Sequence, residues 1–153
     1  MNHTRRETMT SVGLLLLRVF VGFGLAAHGY TKFFGEKGIA GFAGFLASLG
    51  VPKPETAAYV SATTELVGGI LVGIGLLTRL AAAPLAFNMF VAAFTAHRAS
   101  YFITNNPPGM EYALNLGVVF LAIVLTGPGR FSVDYRLFSR RKPLPPLPGS
   151  PST

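Results

Sequence analysis

The chain contains no cysteine, which excludes disulfide staples, Fe–S clusters and thiol redox chemistry within it. Charge is scarce as well: only 12% of residues are charged and 50% are hydrophobic, against about a quarter charged in an ordinary soluble domain. Mean hydropathy is +0.49, and the chain reads as a membrane protein. It carries no dinucleotide fingerprint, no diagnostic metal-ligand spacing and no internal repeat. The net charge of +7 does not point to nucleic acid, because the basic residues stand at the ends of apolar segments, where they set topology.

What is present is four apolar stretches, at about Ser11 to Tyr30, Thr56 to Leu77, Leu80 to Ala96 and Glu111 to Thr126. Each comes near the roughly 20 residues that a helix needs to cross about 30 Å of hydrocarbon. Backbone groups in lipid must be satisfied internally, so helices are expected. Arg18 interrupts the first stretch and argues against a cleaved leader. With four crossings the two ends share one side. That side holds Arg5, Arg6, Arg79, Arg130, Arg136, Arg140, Arg141 and Lys142, and the other holds Lys32, Lys37, Lys53 and Arg98. The asymmetry places both termini in the cytoplasm.

Between the first two spans, Ile39, Phe42, Phe45, Leu46 and Leu49 recur at helical spacing. A helix this short lies in the outer interface as a strut or as a lid, and Gly50, Pro52 and Pro54 end it. Thr78-Arg79 alone join the second and third spans, so these form a tight antiparallel hairpin. Pro84 falls about one turn into the third span, where its missing N–H costs little. Small residues four apart, Gly22 and Ala26, Gly69 and Gly73, Ala113 and Gly117, mark faces where backbones approach closely. The expected fold is an all-α integral membrane protein: four transmembrane helices in an antiparallel bundle with a short interfacial helix between the first and second. Residues 1–10 form a cytoplasmic N-terminal segment, 11–135 the membrane domain, and 136–153 a basic and then Pro-rich cytoplasmic tail with PxxP spacing, expected to be extended and disordered.

Charge inside the spans carries the functional signal. A carboxylate at bilayer depth is neutralised, paired or kept for a task, and Glu65 stands in the middle of the second span. Counting about 1.5 Å per residue from the outer boundary puts Arg18 about 18 Å, Glu65 about 15 Å and Asn88 roughly 13 Å deep. An Arg18–Glu65 pair is the simplest expectation, each charge offsetting the other's desolvation. Such a pair either locks helix packing or floors a ligand or proton site, and Asn88 by itself is as consistent with interhelical glue. Nearer the outer mouth, His28 and Lys32 share a helix face, His97 ends the third span, and Glu111 begins the fourth with Asn115 one turn on. These residue types occur in metal and haem sites, but no metal is expected from their spacing; they form a polar vestibule or ordinary interface residues. Tyr30, Phe33, Phe34, Tyr101, Phe102 and Tyr112 crowd the same edge, as an aromatic belt or as a stacking surface for a flat ring such as a quinone.

Arg18, the run His28-Gly-Tyr-Thr-Lys-Phe-Phe-Gly35, Glu65-Leu-Val-Gly-Gly-Ile-Leu71, Gly75-Leu-Leu-Thr-Arg79 and Gly127-Pro-Gly-Arg-Phe-Ser-Val-Asp134 together resemble the DoxX family of small four-helix membrane proteins, over about residues 12 to 135. The resemblance implies a multi-pass bacterial inner-membrane protein labelled as an oxidoreductase or quinone-related subunit. Some relatives are tied to thiosulfate oxidation, others to thiol and oxidative-stress complexes. No redox centre is evident in this chain, so electrons would come from a redox partner protein or a bound quinone. The leading expectation is a membrane subunit with an outward-opening pocket. Arg18 and Glu65 floor it; His28, Lys32, His97, Glu111 and Asn115 line its mouth; a quinone-like or other small amphipathic ligand occupies it. The alternatives are a small proton-coupled transporter, acting as a homo-oligomer because four short helices leave little room for a conduit, and a non-catalytic assembly factor.

Overall fold

A computed structural model describes residues 3–97, 99–106 and 109–138. Arg98, the prolines of the 105–109 turn cluster, and the tail expected to be extended, including Arg140, Arg141 and Lys142, lie outside the described residues. The described residues are helical with no strand. Helix α1 runs His3–Phe34, α2 Gly38–Ser48, α3 Pro54–Ile74, α4 Thr78–Thr95, α5 Glu111–Thr126 and α6 Val133–Phe138. By length and apolarity α1, α3 and α4 are the candidate membrane spans, with α2 and α5 shorter apolar helices.

The helix ends follow from local chemistry. Helix α1 starts before its apolar run, at His3, and in its first turns Thr8 and Thr10 return their hydroxyls to the carbonyls of Thr4 and Arg6, both at 3.0 Å. At 32 residues it is roughly 48 Å long, longer than the hydrocarbon is thick. Helix α3 starts on Pro54, whose missing N–H is harmless in a first turn. Gly75 (φ 76°) and Leu77 (φ 48°) make the α3–α4 turn. The left-handed conformation at Leu77 is strained for a branched side chain, and Asp134 holds it there. One Asp134 carboxylate oxygen accepts the Leu77 N–H at 2.7 Å, while the other takes the Thr78 N–H at 2.9 Å and the Thr78 hydroxyl at 2.8 Å. Asp134 thus caps α4 from a distance of 56 residues, instead of pairing with a neighbouring arginine; Arg130 reaches Glu7. Because α4 begins at Thr78, Pro84 sits nearly two turns in and leaves the Leu80 carbonyl without its helical donor.

Small residues bring α1 and α3 together. A Cβ on Gly22 would fall 2.7 Å from the Gly69 carbonyl oxygen, and one on Gly29 would fall 2.4 Å from the Leu66 nitrogen. Rising numbers in α1 therefore meet falling numbers in α3, the register of an antiparallel pair. Gly117 of α5 receives the Phe90 ring of α4 in the same way. Leu25, Val72, Leu85, Met89, Phe120 and Ile123 anchor the core between these helices. Phe20, Leu80, Phe87 and Leu125 are each more than 70% exposed. Four such side chains turned outward on three helices suit a hydrocarbon surround and would be a liability in water.

Candidate functional site

Glu65 is 2% exposed and stands in a single π turn, Thr64–Gly68, that interrupts α3. Such one-turn irregularities recur at functional positions because the extra residue re-aims the side chains around it. Its Oε1 accepts two hydrogen bonds, from Lys32 Nζ of α1 at 2.6 Å and from Asn88 Nδ2 of α4 at 2.9 Å. Its other oxygen, Oε2, is buried without a hydrogen-bond partner. Lys32 also places its ammonium 4.3 Å from the centre of the Phe42 ring on α2, a cation–π contact that fixes the side chain from above. Three helices meet on the carboxylate, and a fourth closes over its cation.

Beside this cluster a groove of about 510 Å³ runs between α2, α3 and α4, with Lys32, Asn88, Ser61 and His97 among its polar lining and Phe42 and Phe87 among its apolar walls. That volume is in the range of small-molecule sites, which are mostly apolar with a few polar groups at one end. The ammonium of Lys32 and the amide of Asn88 each keep hydrogen-bonding capacity beyond the bond to Glu65. The groove can therefore hold an oxygen-bearing head against donors while apolar walls take the rest.

Arg18 is the correction. The expected Arg18–Glu65 pair does not form. Arg18, fully buried, donates from Nη2 to the Phe131 carbonyl at 2.7 Å, lies against Gly75, and feels the charge of Asp134. The reason is register. Counted from Phe34, Arg18 lies 16 residues down α1, roughly 24 Å, while Glu65 lies 11 residues into α3, about 16 Å. Gly29 faces Ala62 and Leu66, and Gly22 faces Gly69 and Gly73, so one turn below Gly22 the neighbour is the Gly75 turn. Glu65 belongs to the level of Lys32.

The mouth residues do not converge. His28 Nε2 lies 3.3 Å from the Tyr112 hydroxyl, Glu111 accepts the Ile103 N–H at 3.3 Å, Asn115 is exposed on α5, and His97 lines the groove with Lys32 and Asn88. Among the described residues no three of His, Asp and Glu stand together as metal ligands. Sequence reasoning missed Phe42 and Tyr112 as polar-group partners, having read the one as helix periodicity and the other as belt. The available signal was Lys32 itself, a cation near a helix end that a following amphipathic helix could cover.

The DoxX model matches residues 13–98, a stretch that includes Arg18, Lys32, Glu65 and Asn88. This chain belongs to the DoxX family. It is 37% identical over 131 residues to CatD of Bacillus subtilis (strain 168), covering 86% of this chain and 91% of CatD, a protein whose name assigns it provisionally to the oxidoreductases. It is 33% identical over 138 residues to the membrane protein Rv3486 of Mycobacterium tuberculosis (strain H37Rv), covering 83% and 82%. It is 30% identical over 128 residues to the inner membrane protein YphA of Escherichia coli (strain K12), covering 80% and 89%. No solved structure matches the chain. This DoxX protein is accordingly a membrane protein, and its buried Lys32–Glu65–Asn88 cluster lies inside the matched segment.

Proposed function

We propose that this DoxX protein crosses the bacterial inner membrane four times, with α1, α3, α4 and α5 as an antiparallel bundle, α2 at the outer interface and both termini in the cytoplasm. The Lys/Arg asymmetry of the sequence supports the orientation, and the names of relatives such as YphA support the membrane. In this setting the groove under α2 binds a quinone-like or other small amphipathic ligand and serves a partner oxidoreductase. The observation that carries the reading is the buried Glu65 carboxylate held by Lys32 and Asn88, the two residues that also line the groove. An intramembrane carboxylate with its own cation and one unpartnered oxygen is equipped to take up or release a proton as the ligand head arrives. Lys32 and Asn88 orient that head, and the apolar walls select for a molecule that reaches the site through lipid. The oxidoreductase name of CatD supports the redox setting.

The test is binding of a short-chain quinone to the full chain in detergent, by calorimetry in buffers of different ionisation enthalpy, so that protons exchanged on binding are counted. The wild type should exchange protons, and Glu65→Gln should bind without them while keeping its helical signal. Unchanged exchange in Glu65→Gln would refute the proton role, and absence of quinone binding by the wild type would refute the ligand class. The charged residue at membrane depth also favours a second reading, a proton-coupled transporter. Ligand flux into proteoliposomes that needs a proton gradient and Glu65 would select it.

A further inference from the structure

At the opposite end of the molecule from Glu65, the start of α1 and the segment returning from α5 enclose a groove of about 630 Å³, lined among others by His3, Arg6, Glu7, Ser11, Arg130 and Tyr135. Its charges are not balanced. Glu7 is already held by Arg130 at 3.2 Å and by His3 at 3.1 Å, and no carboxylate among the described residues lies within ion-pair distance of Arg6. With His3 neutral the groove keeps a net positive charge; with His3 protonated it is more positive. Arg130 is itself half-exposed beside Glu7, so one edge of its guanidinium stays open to the groove. A planar guanidinium fork matches phosphate oxygens two at a time.

The surroundings say what carries the phosphate. Below Arg6 the same face of α1 continues through Thr10 and Gly13 to Leu17 and Phe20, both exposed in the apolar run, and Phe131 and Phe138 are exposed nearby. A free phosphate has no use for such a track, whereas acyl chains do. In a membrane protein, a basic pocket at the end of a spanning helix sits at headgroup level. We infer that this groove is a binding site for an anionic phospholipid, with the phosphate between Arg6 and Arg130 and the acyl chains along Leu17 and Phe20. The site is separate from the Lys32–Glu65–Asn88 groove and does not depend on what that groove binds. Lipid held here would tie the start of α1 to the 127–135 segment, which in turn caps α4 through Asp134.

Phosphatidylglycerol, phosphatidylcholine and inorganic phosphate are the probes, titrated into the delipidated full chain in detergent and followed by native mass spectrometry. Phosphatidylglycerol should bind at least tenfold tighter than phosphatidylcholine, and Arg6→Gln should weaken it about fivefold. Arg5→Gln, one position away and outside the groove, should leave it within twofold. Arg6→Gln is the decisive variant because Arg6 holds no carboxylate in the fold, so its loss does not disturb packing; Arg130→Gln, which also frees Glu7, should weaken binding further. Equal effects of Arg5→Gln and Arg6→Gln would overturn the groove in favour of diffuse surface charge. Equal binding of the two lipids, or full displacement by millimolar inorganic phosphate, would overturn the anionic-lipid assignment.

Discussion

Among the described residues two charged side chains are buried, and they are buried in different ways. Arg18 is locked by backbone: the Phe131 carbonyl accepts its proton, the Gly75 turn packs on it, and its Nε and Nη1 find no acceptor. Glu65 is held by side chains from two other helices, and both of those side chains reach a groove. A charge fixed by backbone joins segments of the chain and has little freedom to respond to anything. A charge fixed by movable side chains beside a cavity can be re-partnered by a ligand. The contrast gives Arg18 an architectural place and makes Glu65 the residue on which the proposed function rests, although both are charged residues of apolar helices.

The largest effect that would break this comparison comes from removing Lys32. Lys32→Met leaves a buried carboxylate with only Asn88, and stability in detergent should fall by about 3–5 kcal/mol, as for other buried pairs that lose one member. The double variant Lys32→Met/Glu65→Met should recover most of that loss in a thermal or denaturant melt; additive losses would mean the two do not act as a pair. Next comes the Arg18 end. Gly75→Ala would drive a methyl into Arg18 Nη1 at a left-handed position, and a loss of about 2 kcal/mol or more is expected by the same melt. On the Glu65 side, Asn88→Ala should weaken binding of the groove ligand about tenfold, about 1.4 kcal/mol, read by calorimetry. Asp134→Ala removes the α4 cap and should cost about 1 kcal/mol of stability without changing ligand affinity. The smallest expected effect is the sharpest contrast: Arg18→Met should leave ligand affinity within about twofold, and a larger change would merge the two sites that the geometry separates.

Much of the fold was legible in the residues. The segment expected at Glu111 to Thr126 is α5 to the residue, and α2 starts at Gly38 and ends two residues before Gly50, because glycine and proline punctuate both. The small-residue pairs do mark where α1 meets α3. The first helix runs beyond the apolar span read for it, starting at His3 and continuing past Tyr30 to Phe34. That error in length was enough to mispair the charges. Depth counted from an assumed boundary shifts with that boundary, and the four residues from Tyr30 to Phe34 amount to about 6 Å. Glu65, Lys32 and Asn88 were each picked out as polar exceptions in apolar surroundings, but Lys32 was assigned to the mouth and Arg18 to the floor.

Composition and periodicity alone determined that this chain is helical, that it lives in a membrane, that Glu65 must be compensated, and that Gly22, Gly69 and Gly73 let helices touch. Those are local or solvent-driven properties, decided by each residue's own transfer cost and backbone freedom. Which cation answers Glu65 was decided only by the tertiary structure. Partner choice depends on the sliding register of α1 against α3, and that register is set by close backbone contacts at Gly22 and Gly29 summed along the whole interface.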